Sequence, residues 1–327
     1  RHRGVSWLGG MQGIGLSVSI CPRSKQPNGC QRNLLLYLKG FTMRKLIAAV
    51  VTSVCFIGIT DLSNAQGVPN HAQGLKEWLV VVDLTETKKQ AGVFSTKIGV
   101  DKPSKLAVLL PGSPSVVRPV VENGVMVSSK LTGNFLIRAR RWLTDETIAT
   151  LVIDCQSESS DECTSSYQAS KERQQDVQKL INEVKKQVPS IKDVWLVGTS
   201  MGTVSSSFMP MHDSQAYAGA IHTATITEPY AKNSYRELGG FDYKKAPIPQ
   251  FFIHHQNDPC TLTTYSSAKS ISKKFNLPLV TVTGGSDFEG QPCKAFTEHG
   301  FRGKEKEVMK VIAEIINTGT ASQLEVN

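Results

Sequence analysis

One serine stands between two glycines in the stretch VWLVGTSMGTVSSS, Val194 to Ser207. A serine hydroxyl is a weak nucleophile until a neighbouring base takes its proton and a third group orients that base. Val194 to Val197 form a short apolar run of β-formers, which predicts a buried strand. Thr203 to Ser207 hold no Pro or Gly, so a helix can follow. Between them, Gly198 and Gly202 bracket a turn so sharp that larger side chains would collide with the neighbouring strand and helix. Such a turn holds Ser200 in a strained conformation at the end of a strand. The free N–H groups of the next helix then point at the same spot and favour negative charge there. G-x-S-x-G in a strand–turn–helix setting is the nucleophile elbow.

A base and an orienting acid must lie elsewhere in the chain, and with an elbow serine they are expected in the order Ser, Asp, His. Only His299, in KAFTEHGF, lies late enough, in a loop between the last strand and the last helix. For the acid, FFIHHQNDPC puts Asp258 three residues past a strand, in a turn set by Pro259. Asp287, in GGSDFEG, is the second candidate. Asp213 and Asp242 read as solvated loop charges, and Asp154 precedes the serine. His254 and His255 at a strand end read as hydrogen-bonded core residues. The oxyanion formed by attack on a carbonyl needs two backbone donors aimed at one point. Met201, directly after the serine, offers one N–H. The second is assigned to Ser113, in the turn after KLAVLLPGS, since Pro111 and Pro114 have no N–H to give.

These residues need a frame. Strand candidates are Glu77–Leu84, Gly92–Val100, Lys105–Ser113, Ala149–Cys155, the elbow strand, Ala216–Ile226, Ile248–His255 and Leu277–Gly284. Asn134–Leu143 reads as helical. KERQQDVQKLINEVKKQV carries Val177, Leu180, Ile181, Val184 and Val188 on one helical face, and the last helix does the same with Val308, Val311, Ile312, Ile315 and Ile316. Apolar strands separated by amphipathic helices predict an α/β fold: a mostly parallel central sheet with helices on both faces.

The chain carries 37 Lys and Arg against 28 Asp and Glu, a net charge of +9. That excess sits at one end. At Met43 the segment MRKLIAAVVTSVCFIGITDLSNAQG has a basic start, an apolar run from Leu46 to Ile59 and a small-residue cleavage pattern ending at Ala65. It reads as a secretory signal peptide over 43–65, too short in its apolar part for a membrane span. Residues 1–42 show no hydrophobic periodicity and are expected to be a non-native or disordered upstream segment. Residues 66–327 are expected to form one domain of 262 residues, with 29 basic and 27 acidic side chains. That balance gives no case for nucleic-acid binding. Cys155, Cys163, Cys260 and Cys293 remain in that domain, an even number that favours disulfides in an exported chain. Zinc is the rival reading, but no C-x-x-C or paired-His spacing accompanies them.

With G-T-S-M-G at Ser200, the P-G-S turn at Gly112, Asp258 after a strand and His299 before the last helix, the chain resembles the α/β-hydrolase superfamily over nearly all of 66–327. LLPGS, GNFLIRARRW, LVIDC and VWLVGTSMGT together are similar to exported bacterial hydrolases of unassigned substrate. The resemblance implies an α/β-hydrolase fold and a secreted or periplasmic serine hydrolase. It implies a small-molecule acyl substrate, carboxylesterase activity and no metal or organic cofactor. The sequence departs from many lipases and esterases in lacking a His-Gly start at the Pro111 turn. Acyl transfer or thioester hydrolysis on the same three residues, or a non-catalytic binding protein on the same fold, are the alternatives. The stretch Thr227–Pro247, with Tyr230, Tyr235, Phe241 and Tyr243, is too short for a full helical cap, so little or no cap is expected. Its aromatics are expected to pack the loop onto the domain. In the implied fold the Asp258 and His299 loops meet at one edge of the sheet. A Cys260–Cys293 disulfide would pin them, leaving Cys155 to pair with Cys163; four free thiols are the alternative.

Overall fold

Along one strand Leu106, Val108 and Leu110 alternate with Ala107 and Leu109, and all five are buried. A strand apolar on both faces needs a layer on each side. The computed structural model describes residues 68–229 and 238–327, and the signal-peptide and upstream readings at 1–65 lie outside the described residues. In chain order the elements begin with β1 (Leu75–Asp83), β2 (Lys89–Lys97), β3 (Lys105–Leu110), β4 (Val120–Glu122), β5 (Val125–Ser128), α1 (Phe135–Arg138) and β6 (Ile148–Ile153). They continue with α2 (Ser165–Gln168), α3 (Lys171–Gln187), β7 (Asp193–Thr199), α4 (Gly202–His212), β8 (Gly219–Thr223) and β9 (Gln250–His255). The last are α5 (Tyr265–Phe275), β10 (Leu279–Val282), α6 (Glu305–Thr318) and β11 (Glu325–Val326).

Nine strands form one sheet in the order β1-β2-β6-β3-β7-β8-β9-β10-β11. The β1–β2 hairpin and its join to β6 are antiparallel, and every later pairing is parallel. Ala107, Leu109, Trp195 and Val197 face one core with α1 and the apolar stripe of α6. Leu106, Val108, Leu110 and Leu196 face the other, against Val177, Leu180, Ile181 and Val184 of α3. The sheet is therefore covered on both faces, and the functional ends of β3, β7 and β9 open on one edge of these layers.

Several elements differ from the sequence-based expectation. Asn134–Leu143 is not one helix: α1 is a single turn, followed by a 3₁₀ turn at Arg140–Trp142. The strand expected over Ala216–Ile226 covers only Gly219–Thr223, because the chain turns at Ala224 with φ +43°. The helix α5 and the β4–β5 hairpin were not foreseen. Phe241 and Tyr243 are buried against Phe252 and Ile271, while Tyr230 and Tyr235 lie outside the described residues.

A buried ion pair ties the antiparallel end of the sheet to the segment that follows α1. Arg140 Nε and Nη2 each donate at 2.8 Å to the two oxygens of Glu77, with both side chains fully buried. Ser95 Oγ and the Met126 N–H fill the remaining acceptor positions of the carboxylate, and Arg140 Nη1 donates to the Ile137 carbonyl. Arg140→Met strands the Glu77 carboxylate in the core and is expected to lower the unfolding free energy by about 3–5 kcal/mol in urea titration. Replacing both partners by apolar residues is expected to recover only part of that loss, because Ser95 Oγ and the Met126 N–H then lose their acceptor. A single variant within about 1 kcal/mol of the parent would refute the account.

Candidate active site

Ser200 follows β7 at φ +52°, a left-handed conformation that costs a non-glycine residue about 1–3 kcal/mol. The turn is held by Ser200 N–H donating to the Thr223 carbonyl and by Thr203 N–H donating back to the Ser200 carbonyl. The glycines answer to close approach. A β-carbon on Gly202 would lie 1.9 Å from the Leu110 carbonyl oxygen, and one on Gly198 would lie 2.7 Å from the Gly202 carbonyl. Helix α4 starts immediately after Met201, whose side chain is buried with Val204 and Ile226. The first N–H groups of a helix have no intrahelical partner, so the Met201 segment presents donors beside Ser200.

His299 lies in a 3₁₀ turn, Glu298–Gly300, between β10 and α6. Its Nδ1 is 3.0 Å from Asp258 Oδ2 and 3.1 Å from Thr263 Oγ1. Thr263 Oγ1 donates to the same carboxylate oxygen at 2.8 Å, and the Cys260 N–H donates to the other at 2.9 Å. A carboxylate can only accept, so Nδ1 carries the imidazole proton and Nε2 is left as the acceptor. Burial pushes the Asp258 carboxyl upward, but the bond to His299, its charge and the Cys260 and Thr263 donors together hold it below the usual carboxylate range. An imidazole oriented in this way can take a proton from a hydroxyl and return it to a leaving group.

Ser200, His299 and Ser113 line one cavity of about 450 Å³, together with Gly112, Asn134, Ile226, Leu262 and the Cys260–Cys293 pair. Ser200 and His299 both line this space, with no hydrogen bond between Ser200 Oγ and His299 Nε2. The described lining holds two cations, Lys130 and Lys294, and no carboxylate. Of the sequence candidates, Asp287 is exposed and accepts from Ser286 Oγ, away from His299. Asp154 is buried and pairs with Arg118 at 2.8 Å. His254 accepts from the Thr225 N–H, and His255 contacts the Gly284 carbonyl, both inside the core.

Two disulfides take up the four cysteines: Cys260–Cys293, with Cα atoms 4.5 Å apart, and Cys155–Cys163, at 5.6 Å. The first joins the loop after Asp258 to the loop before His299. Among the described residues no cluster of three or more His, Cys, Asp or Glu side chains is placed to hold a metal ion. No helix among them is long and apolar enough to cross a membrane. Sequence reasoning missed Thr263 and Arg138. Arg138 donates to the Gly133 carbonyl at 2.6 Å and the Gly300 carbonyl at 2.7 Å, and pairs with Glu305. It thereby ties one wall of the cavity to the His299 turn and to α6. Nothing in the string NFLIRARRW distinguishes this arginine from its neighbours, because its partners lie up to 167 residues away.

No protein-family model and no curated protein matches the sequence. Solved structures do. Est1E from Butyrivibrio proteoclasticus is 13% identical and superposes with a TM-score of 0.50, over 74% of this chain and 98% of that one. The acylaminoacyl peptidase of Pyrococcus horikoshii is 12% identical at a TM-score of 0.50, over 76% of this chain and 42% of that longer one. A cold-adapted esterase from an Arctic intertidal metagenomic library is 12% identical, over 75% of this chain and 95% of that one, at a TM-score of 0.46. At these identities the likeness is one of fold, and the chain has the α/β-hydrolase fold.

Two buried histidines behind the site set an acid limit on stability. Burial lowers His222 and His254 to about 4, from 6.5 for a free imidazole. Both stay neutral in the native core while the unfolded chain takes up protons below about pH 6.5. Stability therefore falls as pH drops from about 6.5 to 4, by about 1.4 kcal/mol per pH unit for each imidazole. Urea titrations between pH 7 and 4.5 are expected to show this slope, reduced by one imidazole's share in His254→Gln. An unchanged slope in that variant would contradict the assignment.

Proposed function

We propose that the chain is an exported serine hydrolase, with Ser200 as nucleophile, His299 as general base and Asp258 as the orienting acid. The observation that carries this reading is the 3.0 Å bond from His299 Nδ1 to Asp258 Oδ2, with the imidazole and the elbow serine opening into one cavity. Ser200 Oγ adds to the carbonyl carbon of an ester while its proton passes to His299 Nε2. The backbone N–H groups of Met201 and Ser113 stabilise the oxyanion. Collapse of the adduct expels the alcohol, protonated by His299, and leaves an acyl-enzyme. Water, deprotonated by the same imidazole, releases the acid. A cavity of about 450 Å³ suits small or medium acyl groups. Because a fold neighbour is an acylaminoacyl peptidase, amides belong beside esters among the substrates to test.

Ser200→Ala is expected to abolish covalent labelling by a fluorophosphonate and to lower kcat on a p-nitrophenyl ester by roughly 10⁶-fold, with the fold retained by circular dichroism. Undiminished labelling would remove Ser200 from the mechanism. Export is supported by the basic and apolar start at Met43 and by the two disulfides, which persist in oxidising compartments. Expressed from Met43 in a bacterium, the exported product is expected to begin at Gln66 by N-terminal sequencing. A product that keeps Leu46 to Ile59 and stays with the membrane would mean an anchor instead.

A further inference from the structure

The residue Asn134 has one half of its side chain committed and the other half facing the nucleophile. Its Oδ1 accepts from the Leu136 N–H at 3.1 Å, capping α1. An N–H can only be met by the amide oxygen, so the cap fixes which end of the amide points outward: Nδ2. The backbone of Asn134 is satisfied as well, donating to the Leu131 carbonyl and accepting from the Ile137 and Arg138 N–H groups. Among the described residues no acceptor is bonded to Nδ2.

The surroundings of Nδ2 are the nucleophile and the P-G-S turn. A β-carbon built on Gly112 would stand 3.0 Å from Ser200 Cβ and 3.6 Å from Asn134 Nδ2. Both groups border the same gap, which exists because residue 112 has no side chain. Gly112, Asn134 and Ser200 all line the cavity. The donor is held from behind, because Arg138 grips the Gly133 carbonyl one residue earlier and the Gly300 carbonyl of the His299 turn. A fixed dipole that needs no reorganisation when charge develops is what stabilises an oxyanion.

We propose that the Asn134 amide is a catalytic hydrogen-bond donor, its Nδ2–H bonding the substrate oxygen that becomes the oxyanion when Ser200 Oγ adds to the carbonyl carbon. The carbonyl π pair moves onto that oxygen and the hydroxyl proton goes to His299 Nε2. The amide keeps its own proton and contributes only the hydrogen bond. This role rests on the serine-hydrolase reading. It adds a side-chain donor to the backbone pair, at the turn where the sequence lacks a His-Gly start.

Two variants separate it from a purely structural cap. Asn134→Ser and Asn134→Asp both keep a side-chain oxygen for the Leu136 N–H and so preserve the cap, but neither keeps the amide donor. In both, Tm is expected to stay within a few degrees of the parent. On a p-nitrophenyl ester kcat is expected to fall by roughly 100- to 1,000-fold with KM changed less than about threefold. The second-order rate of fluorophosphonate labelling, whose phosphoryl oxygen would occupy the same place, is expected to fall in parallel. The serine variant is neutral, so wild-type kcat in Asn134→Ser overturns the proposal even if Asn134→Asp is impaired by its added charge. Should Asn134→Ser fail to fold, wild-type kcat in Asn134→Asp overturns it instead. If Ser200→Ala itself retains hydrolysis and labelling, the serine reading fails, and that result is distinct from any result at Asn134.

Discussion

The start of α4 is pressed against the end of β3, and most of the candidate site follows from that approach. With the Leu110 carbonyl 1.9 Å from where a β-carbon on residue 202 would stand, only glycine fits there. The helix can then begin directly behind the sheet, and the chain must reverse within the residues between β7 and α4. That reversal forces Ser200 to φ +52°. It also carries the serine up to the turn after β3, where a β-carbon on residue 112 would stand 3.0 Å from Ser200 Cβ. One steric condition thus sets Ser200, the turn beside it and the helix N-terminus at a single edge of the sheet.

Asp258 and His299 reach that edge differently. Each sits in a loop, one beyond β9 and one beyond β10, and no strand ladder fixes either. Loops order only at an entropic cost, so their mutual position needs specific ties. The structure supplies three of different chemistry. The Cys260–Cys293 bond joins the two loops covalently and would constrain the unfolded chain by roughly 3–4 kcal/mol in the chain-entropy account. Thr263 donates to Asp258 and contacts His299, filling a carboxylate position that water would otherwise compete for. Arg138 holds the Gly300 carbonyl from the far side of the cavity. Together these ties hold the His299 imidazole in one orientation against Asp258.

What could be read from the sequence is what local sterics dictate. The elbow needs glycine at two fixed positions around Ser200, so its pattern survives in the string itself. The strands of the parallel core announce themselves because both faces are apolar, as in Leu106 to Leu110. Asp258 and Asp287 both follow strands, and chain order alone left the second as an alternative; the structure sets Asp258 against His299 and leaves Asp287 in solvent. The helix α5 escaped notice because its sequence, YSSAKSISKKF, buries only Ala268 and Ile271. The β4–β5 hairpin did carry a signal: Asn123-Gly124 takes positive φ at both residues, the turn such a pair favours. Arg138, Thr263 and Asn134 were illegible for another reason. Arg138 meets Gly300 and Glu305, and Thr263 meets His299, all far away in sequence, while Asn134 reads locally as an ordinary helix cap.

The small polar run after the elbow links the site to the acid sensitivity of the core. Positions 205 to 207 on α4 carry three buried serines. Buried hydroxyls need partners. Ser205 finds Gln168, and Ser206 Oγ lies 2.8 Å from His222 Nδ1. Gln250 uses its Nε2 on the Tyr243 and Ala246 carbonyls, so its Oε1 is the acceptor for His222 Nε2. This chain fixes His222 as a neutral imidazole with its proton on Nε2, accepting from Ser206 at Nδ1. A second proton would have to displace the serine donor, and neither ring nitrogen has a carboxylate partner among the described residues. The buried run behind Ser200 thus meets a hydrogen-bonded histidine held neutral by burial, and proton uptake by the unfolded chain alone links that core to acid.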